Sequence, residues 1–135
     1  MIDHTGIHVT DIARSKAFYV AVLATVGYVA RRDLGDAVGF GAKVADPADD
    51  PAGEFWIAKA EPFSPRSHIA FRAADEAQVQ AFHAAALAAG GQDNGAPGLR
   101  PHYHAHYYAA FVLDPDGYNI EAVFHRSAIA SATPS

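Results

Sequence analysis

Hydrophobic and polar residues follow two periods along this chain, and the same succession of periods occurs twice. Residues 4–9 and 68–73 alternate between polar and apolar side chains, as half-buried strands do. A helical pattern follows each stretch. Asp11 and Asp75 precede the two helical patterns, where a carboxylate can accept hydrogen bonds from the free amides of the first turn. The pattern therefore predicts a strand followed by an N-capped helix at the start of each half.

An offset of 64 residues superposes the two halves. Residues 4–27 align with residues 68–91 without a gap, and the matched pairs include His4 with His68, Phe18 with Phe82 and Gly27 with Gly91. The same offset aligns residues 50–53 with residues 114–117, both of which read Asp-Pro-x-Gly. A coincidence of composition is the alternative, but two distant blocks in one register favour an internal repeat.

Each half continues with three strand-like stretches, which predicts an α+β fold made of two βαβββ modules. The stretches are residues 28–33, 37–44 and 54–59 in the first half, and a weak piece near Gln92, 106–113 and 118–124 in the second. The Asp-Pro-x-Gly blocks predict turns before the last strands. We expect one domain over residues 1–126, with modules at 2–59 and 67–126, a linker at 60–66 and a flexible tail at 127–135.

Length and composition exclude several classes of protein. The 135 residues suffice for one buried core, and a hydrophobic content of 50% excludes a disordered chain. No apolar run approaches the roughly 20 residues of a membrane span. A net charge of −5 argues against nucleic acid as a partner, and the absence of cysteine excludes disulfides and thiolate chemistry. The N-terminus shows no signal segment, so we expect a cytoplasmic protein.

Three segments resemble the vicinal oxygen chelate superfamily, which includes glyoxalase I, bleomycin-resistance proteins and extradiol dioxygenases. They are Asp3-His4-Thr5-Gly6-Ile7-His8-Val9-Thr10-Asp11-Ile12, His68-Ile69-Ala70-Phe71 and Leu113-Asp114-Pro115-Asp116-Gly117-Tyr118-Asn119-Ile120-Glu121. The resemblance covers residues 2–126. It implies that each module curls its mixed sheet into a half-barrel and that the modules surround a shared pocket.

The resemblance also implies a metal site. It places ligands at His4, His68 and Glu121, with the fourth family position at Ile57, which cannot bind a metal. Two imidazoles and one carboxylate suit divalent iron and leave positions open for substrate; Mn, Ni and Zn are alternatives. We expect a lyase, isomerase or dioxygenase that chelates a small oxygen-rich molecule. The alternative is a metal-free protein that binds a drug or metabolite.

Strand alternation adds candidate pocket residues. If His4 and His68 face inward, so do His8 and Arg72, and Asn119 and His125 share the face of Glu121. Arg72 would bind an anionic group or lie in solvent, and His125 would carry protons or form a polar rim. Trp56 should face the opposite way from Ile57, into the core.

The segment 100–108 holds three histidines and three tyrosines. We expect it to close the mouth of the pocket and to offer side chains to a substrate, namely His102, Tyr103, His104, His106 and Tyr108. The alternate spacing of the three histidines also suggests a second metal site, which Pro101 and the lack of a carboxylate there weaken.

A homodimer is the expected assembly. Curled sheets leave unpaired edges, and exchange of near-identical modules between chains is a low-cost route to a twofold dimer with two equivalent sites. The sequence leaves open whether His4 and His68 of one site belong to one chain or to two.

Overall fold

The computed structural model describes residues 1–126, which form two helices and eight strands. In chain order these are β1 (Thr5–Val9), α1 (Ile12–Ala24), β2 (Tyr28–Asp33), β3 (Ala37–Ala42), β4 (Phe55–Lys59), β5 (His68–Arg72), α2 (Glu76–Ala88), β6 (Gln92–Leu99), β7 (Tyr107–Leu113) and β8 (Asn119–His125). The order is βαβββ twice, as the internal repeat predicts. The expected tail, residues 127–135, lies outside the described residues.

The two modules share one sheet topology. The first sheet has the order β1-β4-β3-β2 and the second β5-β8-β7-β6. In each, the first and last strands of the module pair in parallel, and the other pairs are antiparallel. The predicted fold class, two βαβββ modules with mixed sheets, is therefore confirmed. Neither helix within residues 1–126 is long and apolar enough to cross a lipid bilayer.

The helix boundaries follow from the side chains that the repeat aligns. The Asp11 carboxylate accepts from the amide of Arg14, and the Asp75 carboxylate accepts from the amide of Gln78, so both predicted N-caps are confirmed. Gly27 and Gly90 follow the helices with φ of 80° and 96°, a conformation that favours glycine.

Polar and aromatic contacts join the modules into one core. The Tyr19 hydroxyl donates to Asp114 over 2.5 Å, and the Tyr118 hydroxyl donates to the backbone carbonyl of His8 over 2.6 Å. Phe55 and Phe71 meet edge to face across the two modules with ring centroids 5.1 Å apart. Burial raises the pKa of Asp114, although the hydrogen bonds from Tyr19 and two amides oppose that rise.

The side chains of β4, the last strand of module one, face the opposite way from the prediction. Ile57 is fully buried in the core, whereas Trp56 lies on the opposite face, so the expected orientations of both residues are wrong. The strand pairings explain the error. Gly6 lies opposite Trp56, and Ala70, one repeat later, lies opposite Glu121. The counterpart of Glu121 is therefore Trp56, because the register of the last strand against the first differs by one residue between the two modules.

Candidate functional site

A buried carboxylate lies at the centre of the open face of the module-two sheet. Glu121 on β8 is only 2% exposed, and its Oε1 atom lies 3.0 Å from Nε2 of His68 at the start of β5. The other ring nitrogen of His68, Nδ1, lies 2.8 Å from the backbone carbonyl of Asn119. A carbonyl only accepts, so Nδ1 carries the hydrogen. In the neutral imidazole, Nε2 therefore presents a lone pair to a carboxylate oxygen.

Tyr107 holds the second oxygen of this carboxylate. Its hydroxyl donates to Oε2 of Glu121 from the adjacent strand. Burial raises the pKa of Tyr107, and the hydrogen bond to Glu121 raises it further. The phenol therefore keeps its proton at neutral pH and acts as a donor. It fixes the rotation of the carboxylate and leaves Oε1 directed at His68.

These groups open into the cavity of module two, which has a volume of about 580 Å³. We call it the module-two cavity. The residues lining it are His68, His102, Tyr103, His104, Tyr107, Phe111, Asn119 and Glu121. Six of them, all but Tyr107 and Phe111, are candidates named from the sequence. The structure thus brings the predicted ligands His68 and Glu121 together with residues of the 100–108 segment.

His125 joins this cavity through His104. Nε2 of His104 and Nδ1 of His125 lie 3.0 Å apart, and the two rings stack with centroids 5.1 Å apart. The backbone amide of His106 donates to Nδ1 of His104, so Nε2 of a neutral His104 carries the hydrogen that His125 accepts. Tyr107 packs edge-on against both rings. The pair thus supports the ring whose hydroxyl holds Glu121.

His4 and His8 lie elsewhere, in a cavity on module one. This module-one cavity has a volume of about 250 Å³ and is lined by His4, Thr5, Gly6, Ile7, His8, Trp56 and Ala58. The His4 side chain is 60% exposed, and its Nδ1 atom lies 2.7 Å from an Asp3 carboxylate oxygen. The His8 ring packs against Phe63 of the linker at 4.6 Å. Ile7 and Val9 of β1 are buried in the core, so His8 lies on the other face of the strand, and His4, which precedes the strand, lines the same cavity.

The three expected metal ligands are not assembled within one chain. His4 lines one cavity, and His68 and Glu121 line another that shares no residue with it. Among residues 1–126, no three histidine, aspartate or glutamate side chains are arranged to hold a metal ion. His68 and Glu121 fit a metal as two converging donors, and a third protein ligand would have to come from outside this module.

Three other candidates do not line the module-two cavity. Tyr108 is the clearest correction: it packs in the core, and its hydroxyl accepts from the Gln80 side chain over 3.0 Å. Arg72 is exposed and lies close enough to Tyr28 to oppose the rise in pKa that burial causes there. The backbone of His106 accepts from Arg126 and donates to His104.

Sequence reasoning missed Tyr107 and Phe111. Both follow from the alternation of β7, in which Tyr108, Ala110 and Val112 are buried on the helix side. The Tyr-Tyr pair offers one ring to each face, and the sequence alone does not say which. The strand register decides, because Phe111 lies opposite Glu121 and Tyr107 opposite His125.

Comparisons with known proteins agree with this architecture. The family model of the Glyoxalase/Bleomycin resistance protein/Dioxygenase superfamily matches residues 1–122. A glyoxalase/bleomycin resistance protein from Albidiferax ferrireducens T118 is 30% identical, with a TM-score of 0.75 over 91% of this chain and 98% of that one. The search of curated proteins found no significant match.

More distant solved structures show the same fold. A lactoylglutathione lyase from Agrobacterium tumefaciens is 18% identical, with a TM-score of 0.63 and 92% of each chain covered. A glyoxalase-related enzyme from Fulvimarina pelagi is 17% identical, with a TM-score of 0.68 over 93% of this chain and 88% of that one. At these identities the likeness concerns the fold alone.

Proposed function

The chain belongs to the Glyoxalase/Bleomycin resistance protein/Dioxygenase superfamily, and from that premise we propose that it is a metal-dependent enzyme acting on a small oxygen-rich molecule. The reaction is of the lyase, isomerase or dioxygenase type. The substrate presents two neighbouring oxygens to a divalent ion, which is Fe, Mn, Ni or Zn. His68 and Glu121 of one chain hold this ion together with His4 of a second chain.

The meeting of His68 and Glu121 carries the proposal. Nε2 of His68 and Oε1 of Glu121 are 3.0 Å apart, and the Asn119 carbonyl fixes the hydrogen of His68 on the far nitrogen. Two lone pairs that converge in this way require a positive charge between them, either a proton or a metal ion. A histidine whose outer nitrogen donates to a backbone carbonyl is the usual arrangement of a metal ligand.

The position of His4 supports a site between two chains. His4 lies on an open face of module one, and its side chain is 60% exposed. Module one lacks a counterpart of Glu121, because Trp56 occupies that place. Neither module can therefore complete a three-ligand site alone. The face of one module set against the other module of a second chain would supply both halves, in two equivalent sites.

When bound, a divalent ion would act as a Lewis acid toward two substrate oxygens. The protein's own groups bind and orient around it. Glu121 supplies a carboxylate oxygen whose direction Tyr107 fixes. The side chain of Asn119 lines the cavity beside His68 and offers an amide to a substrate oxygen. His102, Tyr103 and His104 line the same cavity, where their side chains can contact a bound substrate.

Calorimetric titration of the metal tests the proposal. The protein, freed of metal, is titrated with Mn(II), Fe(II) without oxygen, Ni(II) and Zn(II), and the titrations are repeated with Glu121→Gln. We expect affinity for at least one ion to fall by about 100-fold or more, because a neutral amide replaces a charged ligand. Equal affinity in variant and parent would contradict the assignment.

Glu54→Gln is the matched control. Like Glu121, Glu54 is a glutamate that accepts a hydrogen bond from a tyrosine hydroxyl, here Tyr28 over 2.5 Å. It lines neither the module-two cavity nor the cavity around His4. The variant should bind metal as the parent does. A loss common to both variants would indicate a general effect on folding instead of a lost ligand.

A metal-free binding protein is the second candidate, and one observation favours it. Both oxygens of Glu121 already have partners within the chain, His68 and Tyr107. A protonated His68 would satisfy the carboxylate without a metal. Under this alternative, protein purified without added metal contains none, and the Glu121→Gln variant changes ligand affinity without any metal dependence.

A further inference from the structure

The side chain of Arg100, at the edge of the module-two cavity, is held by two backbone carbonyls and an aromatic ring, an arrangement that we call the Arg100 cradle. Its Nη1 donates to the carbonyl of Gly98 over 2.9 Å, and its Nη2 donates to the carbonyl of Ala96 over 2.8 Å. The guanidinium carbon lies 5.4 Å from the centre of the Phe111 ring. Gly95 makes room for it, because a Cβ atom at that position would lie 3.2 Å from Nη2. The side chain is therefore held in one place before any ligand arrives.

This cradle is continuous with the proposed metal site. A second cavity, lined by Asn94, Gly95, Arg100, Tyr103, Phe111 and Asn119, shares three of these residues with the module-two cavity. The Phe111 ring links the two places directly. The His68 ring stacks on it at 6.2 Å, and Arg100 lies on it at 5.4 Å. The centre of the His68 ring and the guanidinium carbon of Arg100 can therefore be no farther apart than the sum of these two distances.

Within residues 1–126, Arg100 forms no ion pair with a carboxylate, and some of its N–H donors have no acceptor. A guanidinium has five N–H donors, of which two bind the carbonyls of Gly98 and Ala96. Among residues 1–126, arginine ion pairs are made by Arg14 and Arg126, and Arg100 pairs with no carboxylate there.

We propose that Arg100 binds a carboxylate of the substrate, whose two vicinal oxygens lie at His68 and Glu121. The inference rests on the proposed function, and it narrows the substrate to a flat, anionic, oxygen-rich acid. Phe111 and Tyr103 offer aromatic surface to the body of the molecule between these two ends. Three N–H donors of Arg100 remain, and a guanidinium can donate to both oxygens of a carboxylate.

Calorimetry with three probes tests the inference. Catechol, 2,3-dihydroxybenzoate and 3,4-dihydroxybenzoate share the two vicinal oxygens, and the latter two add a carboxylate at different reach. They are titrated without oxygen into Mn(II)-loaded protein. We expect at least one acid to bind about tenfold or more tightly than catechol, as charge-assisted hydrogen bonds do. Arg100→Gln should abolish this preference and leave the affinity for catechol unchanged, and Arg100→Lys should keep part of it.

Arg66→Gln is the matched control. Arg66 also donates to two backbone carbonyls, those of Phe63 and Asp116, and lies 5.6 Å from the centre of the Tyr118 ring. It lines neither of the two joined cavities. Its loss removes the same charge and the same kind of bracing at a distance. The preference for the acid should therefore survive in this variant.

Benzoate and its neutral analogue benzamide, titrated into metal-free protein, separate this inference from the proposed function. The aromatic NMR signals of Tyr103 and Phe111 report binding. If no metal binds but benzoate still shifts these signals in an Arg100-dependent way, the Arg100 site stands and the proposed function fails. If metal and catechol bind but neither acid is preferred in the parent, the proposed function stands and the Arg100 inference is overturned. A preference that survives Arg100→Gln also overturns it.

Discussion

The hydroxyl of Tyr107 donates a hydrogen bond to Oε2 of Glu121, and this contact fixes the direction of the carboxylate. The other oxygen, Oε1, faces His68 at 3.0 Å. The tyrosine ring is itself packed by His104 and His125 at centroid distances of 5.3 and 5.2 Å. His104 and His125 thus support the carboxylate of Glu121 through the ring of Tyr107.

The first prediction concerns Tyr107→Phe. The variant leaves the carboxylate of Glu121 in place but removes the donor that orients it. We expect the affinity for metal to fall by about tenfold, as the loss of a hydrogen bond to a ligand typically causes. Calorimetric titration with the ion that the parent binds most tightly measures the change.

Tyr108→Phe is the control for this prediction. The neighbouring tyrosine points into the core, where its hydroxyl accepts from Gln80. Its loss should cost stability of about 1 kcal/mol and leave metal affinity unchanged. A result in which both variants bind metal like the parent would show that Tyr107 has no part in the site.

The fold could be predicted from the sequence because its signals are local and occur twice. The caps Asp11 and Asp75 and the strand at His68 are set by neighbouring residues, and the 64-residue offset repeats them. The prediction of which residues face the site failed at Ile57, where the strand register is shifted by one residue. The register of β8 against β5 differs by one residue from that of β4 against β1, so Glu121 corresponds to Trp56 and not to Ile57. A slip of one residue moves every side chain of a strand to the other face.

The proposed ligands could be named from the sequence, but their distribution over the molecule could not. His68 and Glu121 meet because β5 and β8 pair in parallel, with Ala70 opposite Glu121. The separation of His4 from them depends on how the modules pack, through contacts such as Tyr19 with Asp114. These contacts join residues far apart in sequence, and no periodic pattern records them. The cradle of Arg100 depends likewise on the irregular pairing of β6.

The second prediction concerns Asp114→Asn and pH. Burial raises the pKa of Asp114 above its unfolded value. The folded state therefore holds its proton more tightly, and the stability that this group contributes is lost as pH rises from the ordinary aspartate range, about pH 4, through the raised pKa. The variant has no proton to lose. Its free energy of unfolding, relative to that of the parent, should improve as pH rises through this window.

Urea unfolding followed by circular dichroism at several pH values measures this difference. The variant also weakens the hydrogen bond with Tyr19 by a roughly constant amount, so the diagnostic quantity is the slope with pH. Asp93→Asn provides the opposite sign, because the hydrogen bond from His83 lowers the pKa of that exposed carboxylate. A flat difference between Asp114→Asn and the parent across the window would contradict the assignment.

The last prediction decides whether the metal site lies between two chains. A His4→Ala chain retains His68 and Glu121, and a His68→Ala chain retains His4. If each site draws on two chains, the mixed dimer recovers one complete site and binds metal, whereas neither variant does so alone. If each site forms within one chain, mixing restores nothing. The two chains must be co-expressed or refolded together so that mixed dimers form.

The single tryptophan of the chain makes this experiment sharper. Trp56 lines the same cavity as His4, so a paramagnetic ion such as Ni(II) bound at His4 should quench its fluorescence. In the mixed dimer the quenched Trp56 belongs to the chain that keeps His4. Adding Trp56→Phe to the His68→Ala chain should therefore abolish quenching, while the same change in the His4→Ala chain should preserve it. Quenching that follows the His4→Ala chain instead would rule out the cross-chain arrangement, because the ion would then lie next to a cavity that has lost its histidine.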